Sequence, residues 1–470
     1  MRFGARQHGR VDCTASTLQW QIDMAALIPP MPPSARADIS GIGILRAVRR
    51  NAYEAFPLSF LEKAVVRREM PVRPLVVATS GDAIRHVMID HYEAFARVPA
   101  LKRVLGPLIG KGLATSEGEA WRQQRHAMAP AFAPKHVNTL MVHIAPATEN
   151  ALRKLDAQRD MPLQVLEFMQ LLSLDIAASA MFSVDMGAIG SGLRSLLNEY
   201  TADLGKVTLG DFLLPGWMPT LMSRRRAAFG RRWKAYMEPI VEGRRRAGSE
   251  GRAPDLFDML IRAHGEADSQ LIVDEVTTML IGGHETTALT LFWACALLAQ
   301  APGLQQELAR EAAAAEWPDE ANPARVPALP LARAVVQETL RLYSPAYMSA
   351  RLAGQAQTIA GTPVAKGSLV LVPFLLIHRN PDYWPRPDVF DPARFIDAKP
   401  ADRFAYLPFG IGPHVCIGAQ LAMLEATFVI ARLFRDYELT LASPRPILPV
   451  ANLATRPDHS PAFHVRRRRG

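Results

Sequence analysis

Ten residues toward the C-terminal end, Phe409 to Gly418, read FGIGPHVCIG and set a single cysteine, Cys416, in a glycine-punctuated loop. An apolar stretch of helical composition, Ala419 to Phe434, follows at once. A thiolate so placed can serve as the axial ligand of a heme iron, where it pushes electron density onto the metal and favours O–O cleavage. The sulfur must then lie beneath a flat macrocycle, and the backbone on either side has to come unusually close. Gly412 and Gly418 carry no Cβ to obstruct that approach. Backbone N–H groups after Cys416, at the start of a helix, would point at the sulfur and stabilise its negative charge. Two plainer readings stand beside this one. A lone cysteine among glycines can be a small hydrophobe at a tight turn, and His-x-Cys can be half of a zinc site. No Cys-x-x-Cys or His-x-x-x-His pair supplies the missing zinc ligands.

A second group of unusual residues, LIGGHETTA from Leu280 to Ala288, lies inside a long helical pattern. Adjacent glycines, Gly282 and Gly283, cost about 1 kcal/mol each relative to alanine in a helix interior. Thr286 and Thr287 add β-branched strain, and their hydroxyls can bond back to carbonyls one turn earlier. A carboxylate at Glu285 adds a desolvation cost if buried. Several unfavourable choices in so short a run mark a local rule broken for function. Small residues would let a flat ligand approach the helix, and a loosened hydrogen-bond ladder would leave room for O2 and water.

Both strings resemble motifs of the cytochrome P-450 family. The family's heme-binding loop is Phe-x-x-Gly-x-Arg-x-Cys-x-Gly; Phe409, Gly412, Cys416 and Gly418 fit it, and His414 stands where arginine is usual. LIGGHETTA resembles the oxygen-activating motif Ala/Gly-Gly-x-Asp/Glu-Thr. The resemblance implies that Gly282 and Gly283 line an oxygen groove and that Glu285 and Thr286 are the acid–alcohol pair delivering protons to dioxygen. The alternative for this stretch is a helix kink with a glutamate capped by its neighbours.

The elements that must position these groups follow the same resemblance. Glu338 and Arg341 sit three apart on one helical face, followed by Pro345, Arg351, a strand-like Val370 to Val372, then HRNPDYW (His378 to Trp384) and FDPARF (Phe390 to Phe395). That order is similar to the family's helix pair, heme-contacting strand and meander. It implies a buried ion triad of Glu338, Arg341 and Arg394. Trp121 and Arg125 match Trp-x-x-x-Arg, and with Arg351 they are the implied heme-propionate contacts. Histidine at position 414 implies a weaker, pH-sensitive third contact. The substrate wall is implied at Gly282, Tyr347, Met348 and Ala454, in the segments around 98–112, 346–349 and 453–455.

Composition sets the bounds. The chain has 470 residues, 49% of them hydrophobic, enough for a large core. Helical stretches are expected at Leu193 to Tyr200, Arg224 to Arg246, Leu256 to His264, Asp274 to Gln300, Leu304 to Ala315 and Leu331 to Tyr343, with strand-like runs at Pro74 to Ala78 and Ser368 to Val372. The expected fold is mainly α with small β-sheets (α+β): a flexible extension over 1–28, then a single cytochrome P-450 heme domain over 29–470 with a long central helix. Three cysteines, Cys13, Cys295 and Cys416, cannot form a disulfide framework and suit a reducing compartment. No signal peptide or membrane anchor is evident, so the chain resembles the soluble bacterial type and is expected in the cytoplasm. Net charge is +9, with arginine clusters at 224–226, 231–232, 244–246 and 466–469. They are scattered and lack interleaved aromatics, which argues for solvated helix faces and a frayed tail over nucleic acid binding.

The resemblance implies a monooxygenase holding heme b (iron protoporphyrin IX) with a cysteine thiolate axial ligand, acting on a small hydrophobic substrate and O2. The chain has no GxGxxG strand–turn–helix and no flavin or iron–sulfur cysteines, so electrons from NAD(P)H are expected through a separate ferredoxin or flavodoxin with its reductase. A peroxygenase or isomerase, and a non-catalytic heme sensor or ligand carrier, are the alternatives; the intact Glu285–Thr286 pair argues against both.

Overall fold

The computed structural model describes residues 27–33, 39–70, 72–156, 161–183, 186–208, 210–211, 214, 217–248, 251, 253, 255–264, 269–396, 400 and 402–468. Nearly all of the expected N-terminal extension lies outside the described residues. Helices dominate, joined by a five-stranded, a three-stranded and two two-stranded sheets.

The central helix runs from Ser269 to Leu298 without a break, so Gly282 and Gly283 do not interrupt it. Packing, not propensity, holds it. Ile272 to Thr277 and Thr287 to Leu298 are buried, and the helix packs against Val165–Phe182, Pro330–Leu342 and Ala419–Asp436. A helix enclosed on all sides needs no polar face. Pro302 opens the next helix, which turns through 118°. Of the described helices, Val165–Phe182 is the one long and apolar enough to cross a membrane, yet 56% of it is buried inside the molecule.

The five-stranded sheet orders its strands Val65–Arg68, Leu75–Ala78, Leu369–Val372, Ser349–Ala353 and Phe95–Arg97. Leu75–Ala78 is buried along its whole length, as a central strand covered on both faces must be. At the far edge Phe95–Arg97 pairs antiparallel with Ser349–Ala353, which sets Arg97 directly opposite Arg351. Near the C-terminus, Pro449–Ala451 and Thr455–Pro457 form a short hairpin.

Two members of the arginine clusters are not on solvated faces. Arg226 is buried against Asp211 at 2.7 Å, and Arg244 is buried against Asp255 at 2.9 Å and Asp258 at 2.7 Å. They recur at helical spacing among exposed neighbours because one face of Ser223–Ala247 is turned inward. Nor is the tail frayed through Arg467, since Ala462–Arg467 is a strand paired with Tyr437–Leu441.

Candidate active site

The cysteine loop is closed by its own backbone. The Cys416 N–H donates to the Phe409 carbonyl at 2.9 Å and the Val415 N–H to the Gly412 carbonyl at 3.0 Å. Gly412 has φ +78°, and a Cβ there would lie 2.1 Å from the Met88 carbonyl oxygen. Its missing side chain therefore lets the loop dock on a neighbouring helix, a different reason from the macrocycle approach expected of it. Gly410, with φ +72°, opens instead into a cavity, as does Gly418. The Cys416 sulfur faces the same cavity. Burial raises the thiol above its ordinary range, opposed by the Gly418 N–H and by Arg125. A cation bound to the sulfur would deprotonate it.

That cavity has a volume of about 590 Å3. Trp121, Arg125, Arg351, Phe409 and His414 all line it, joined by Arg97, which the sequence reading missed. Arg97 Nη2 lies 3.3 Å from His414 Nδ1. The His414 ring stacks beside Trp121 at 3.9 Å between centroids, with Tyr92 at 5.6 Å. Burial and the nearby Arg97, Arg351 and Arg125 push the histidine down to about 3, so it is neutral, and the expected pH-sensitive contact gives way to an acceptor for Arg97. Burial and Arg97 together lower Arg351 to about 10. Like charges directly opposite on paired strands destabilise a sheet. A carboxylate that acts on both arginines, Glu117, accepts from the Arg97 backbone N–H at 2.6 Å and pairs with Lys102. Three guanidiniums thus converge short of anions, and a group with two carboxylates would complete them through forked hydrogen bonds. A sulfur ligand, open glycines and this arginine cluster in one cavity fit a heme.

The central helix presents two faces. Gly282, Gly283, Thr286, Thr287 and Thr290 line the cavity, and a Cβ at either glycine would meet open space. The Thr286 hydroxyl donates to the Gly282 carbonyl at 2.6 Å, and Thr290 to the Thr286 carbonyl at 2.9 Å. Glu285 does not line the cavity. Successive helical residues are about 100° apart around the axis, so Glu285 turns outward, where Arg456 Nη2 approaches Oε1 at 2.5 Å. Gln170 Nε2 donates to Glu285 Oε2 at 3.4 Å, while the Gln170 carbonyl meets His284 Nε2 at 3.1 Å. Burial lowers His284, which fits its role as a neutral donor. The structure therefore separates the two members of the expected acid–alcohol pair.

Arg341 binds Glu338 through two bonds of 2.7 and 2.8 Å and spends its other donors on the carbonyls of His378, Pro387 and Val389. Asp391 N–H also donates to Glu338, at 2.9 Å. Arg394 completes the expected triad loosely, its Nε 3.5 Å from Glu338. Of the residues expected at a substrate wall, Gly282, Tyr347 and Met348 line the cavity. Ala454 does not. Its carbonyl accepts the Asn452 N–H, closing the hairpin turn, and leaves Asn452 and Leu453 on the wall. Ala177, Ala180, Met181 and Met279 also line it, positions that sequence patterning marks only as helix interior.

Comparison with known proteins agrees with this geometry. Residues 38–459 match the family described as cytochrome P-450. The chain is 31% identical over 347 residues to cyclooctat-9-en-7-ol 5-monooxygenase of Streptomyces melanosporofaciens, covering 71% of this chain and 73% of that one. It is 28% identical to cyclooctatin synthase of the same organism, over 86% of this chain and 89% of that one. A cytokinin hydroxylase of Arabidopsis thaliana is 26% identical, over 82% and 77%. The relatives include bacterial and plant proteins alike, so they do not single out a soluble bacterial type.

Proposed function

This chain belongs to the cytochrome P-450 family and is a heme-thiolate monooxygenase; from that premise we propose that Thr286 hands protons into the cavity while Glu285 resupplies them from the outer face of the central helix. The proposed cofactor is heme b, which Cys416 would hold through its sulfur and Arg97, Arg125, Arg351 and Trp121 through hydrogen bonds to its carboxylates, within a single heme domain over 29–470. When bound, it supplies the activation of O2 and the transfer of one oxygen atom to the substrate. The chain's own residues do the rest. Gly282 and Gly283 leave space beside the helix, and the Thr286 hydroxyl, anchored on the Gly282 carbonyl, can hold a water at that space. Glu285 lies between this threonine and the partly exposed Arg456, which connects it to solvent.

The observation that carries the reading is the division of helix faces, with Thr286 on the cavity shared with Cys416 and Glu285 outside it. Positioned acid–base groups are worth about 10²–10⁴-fold in rate. Thr286→Ala is expected to keep consuming NAD(P)H while hydrogen peroxide rises and product falls. Glu285→Gln is expected to slow total turnover more than it lowers coupling. Wild-type coupling in Thr286→Ala would end this assignment.

For the substrate we propose a neutral, mainly apolar molecule of terpenoid type. The arginines that line the cavity, Arg97, Arg125 and Arg351, all act on His414, while Ala177, Ala180, Met181, Met279, Met348 and Leu453 give the lining much apolar surface. One relative is named for oxidising cyclooctat-9-en-7-ol. Electrons are proposed to come from NAD(P)H through a ferredoxin or flavodoxin and its reductase, in the cytoplasm. A first-electron rate that falls as salt rises would support an acidic partner, since screening shortens exposed charge interactions to ~8 Å at physiological ionic strength.

A further inference from the structure

The residue that grips Glu285 belongs to the hairpin whose turn lines the cavity. Arg456 lies in the C-terminal hairpin, opposite Val450. Asn452 and Leu453, in the turn of that same hairpin, line the cavity. Between them stands Thr455, fully buried and fastened on every side. Its N–H donates to the Pro345 carbonyl at 3.1 Å, its hydroxyl to the Ser344 carbonyl at 2.7 Å, and its carbonyl accepts from Trp293 Nε1 at 3.1 Å. Tyr53 reaches the same hydroxyl at 3.3 Å. The turn is held more lightly, by Tyr347 on the Asn452 carbonyl at 2.6 Å and by the Asn452 N–H on the Ala454 carbonyl at 3.3 Å. Thr455 is thus a fixed pivot with the cavity wall on one side and the guanidinium on the other.

We infer that Arg456 is a positioning residue for Glu285 and that the hairpin couples this ion pair to what fills the cavity. A bulky ligand pressing Leu453 outward twists the second strand about Thr455, against the first strand that Asn51 holds at Pro449 and Ala451, and draws the guanidinium off the carboxylate. Among the described residues, Glu285 is then left with the long bond from Gln170. An empty cavity keeps the acid clamped away from Thr286, and a filled one frees it. The proton-supply consequence rests on the role proposed above for Glu285; the mechanical coupling does not.

Linkage makes the idea testable without turnover, because a ligand that weakens the pair must be weakened by it to the same extent. The probes are clotrimazole, a bulky neutral azole, and imidazole, which is too small to reach the wall; both are titrated by the heme absorbance shift. Arg456→Met is expected to tighten clotrimazole by about 5-fold, the lower end of typical site-to-site coupling, and to leave imidazole unchanged. Arg456→Lys should restore the parent affinity. In a Glu285→Gln background, Arg456→Met should change neither ligand. An equal clotrimazole shift in both backgrounds would mean that Arg456 acts by shaping the wall, and no shift in either would mean no coupling; each result overturns the inference. Arg456→Gln carries the same test where Arg456→Met does not fold. The solvent deuterium isotope effect on NAD(P)H oxidation is measured alongside. Its insensitivity to Glu285→Gln would end the proton-supply role while the azole cycle still decides the coupling.

Discussion

Arg341 is surrounded by what it needs: a bidentate carboxylate from Glu338 and three backbone carbonyls, all within 3.0 Å. Arg351, on the strand that follows, faces Arg97 across a sheet edge and, among the described residues, bonds only the carbonyl of its neighbour Ala350, at 3.0 Å. Both guanidiniums are largely enclosed, but only Arg351 lines the cavity that Cys416 faces. The difference between them separates architecture from binding. A buried charge whose partners are all supplied by the chain stabilises one arrangement of the backbone, here the meander from His378 to Val389. A group of buried like charges without their own carboxylates is costly until something anionic arrives.

Removing a partner from the finished cluster should have the largest effect. Glu338→Ala leaves Arg341 buried and uncompensated, a change that typically costs about 3–5 kcal/mol. Denaturant unfolding should show that loss with and without heme. A small loss would mean that the carbonyls alone satisfy Arg341.

Acid should attack the same cluster. His378 is buried beneath Arg341, accepts the Leu407 N–H at 2.7 Å, and is pushed down to about 3 by burial first and by Arg341 second. The unfolded chain takes up a proton below the ordinary value of 6.5, while the folded chain does not until about 3. Stability carried by this group is therefore present above 6.5 and lost as pH falls, at about 1.4 kcal/mol per pH unit. The difference in unfolding free energy between the parent and His378→Gln, followed from pH 7 to 4, should shrink accordingly. A constant difference would remove His378 from the account.

The unfinished cluster should respond in the opposite sense. Arg351→Leu removes a like-charge opposition from the apoprotein, so apoprotein stability should hold or rise. The same change should weaken heme retention by roughly 10- to 100-fold, since a hydrogen bond to a charged group is worth about 1.5–3 kcal/mol. Transfer of heme to apomyoglobin measures the second quantity and thermal unfolding of the apoprotein the first. If the apoprotein loses stability as Glu338→Ala does, the distinction between the clusters fails.

The smallest effect is expected at Arg394, whose approach to Glu338 at 3.5 Å is the longest contact in its cluster. Arg394→Ala should cost the least of these changes, because Arg341 and the Asp391 N–H still compensate Glu338. A loss approaching that of Glu338→Ala would make the triad a true unit of three.

Much of the site was legible in the sequence because its requirements are local. A loop that docks by one glycine and offers a cysteine just before a helix must keep Gly412, Cys416 and Gly418 at fixed spacing. A helix that opens space beside a cofactor must place its small residues and its threonine within one turn, as Gly282, Gly283 and Thr286 are placed. Glu338 and Arg341 meet because three residues return to the same helical face. Helix positions followed for the same reason, with ends displaced by a few residues where capping and packing settle the boundary.

Tertiary structure decided everything that depends on segments meeting across the chain. Arg97 becomes a third cavity arginine only because its strand pairs with Ser349–Ala353, which no short-range pattern encodes. The sequence placed Glu285 beside Thr286, but the helix turns them to different sides, and the partner that holds Glu285 comes from the C-terminal hairpin. The same hairpin moved the cavity wall from Ala454 to Asn452 and Leu453, since which turn residue points inward is fixed by Thr455 and its buried bonds. Residue types and spacing determined the chemistry this protein can hold. Strand pairing and helix packing determined which charges face the cavity and which are turned away from it, because direction is a property of the folded backbone.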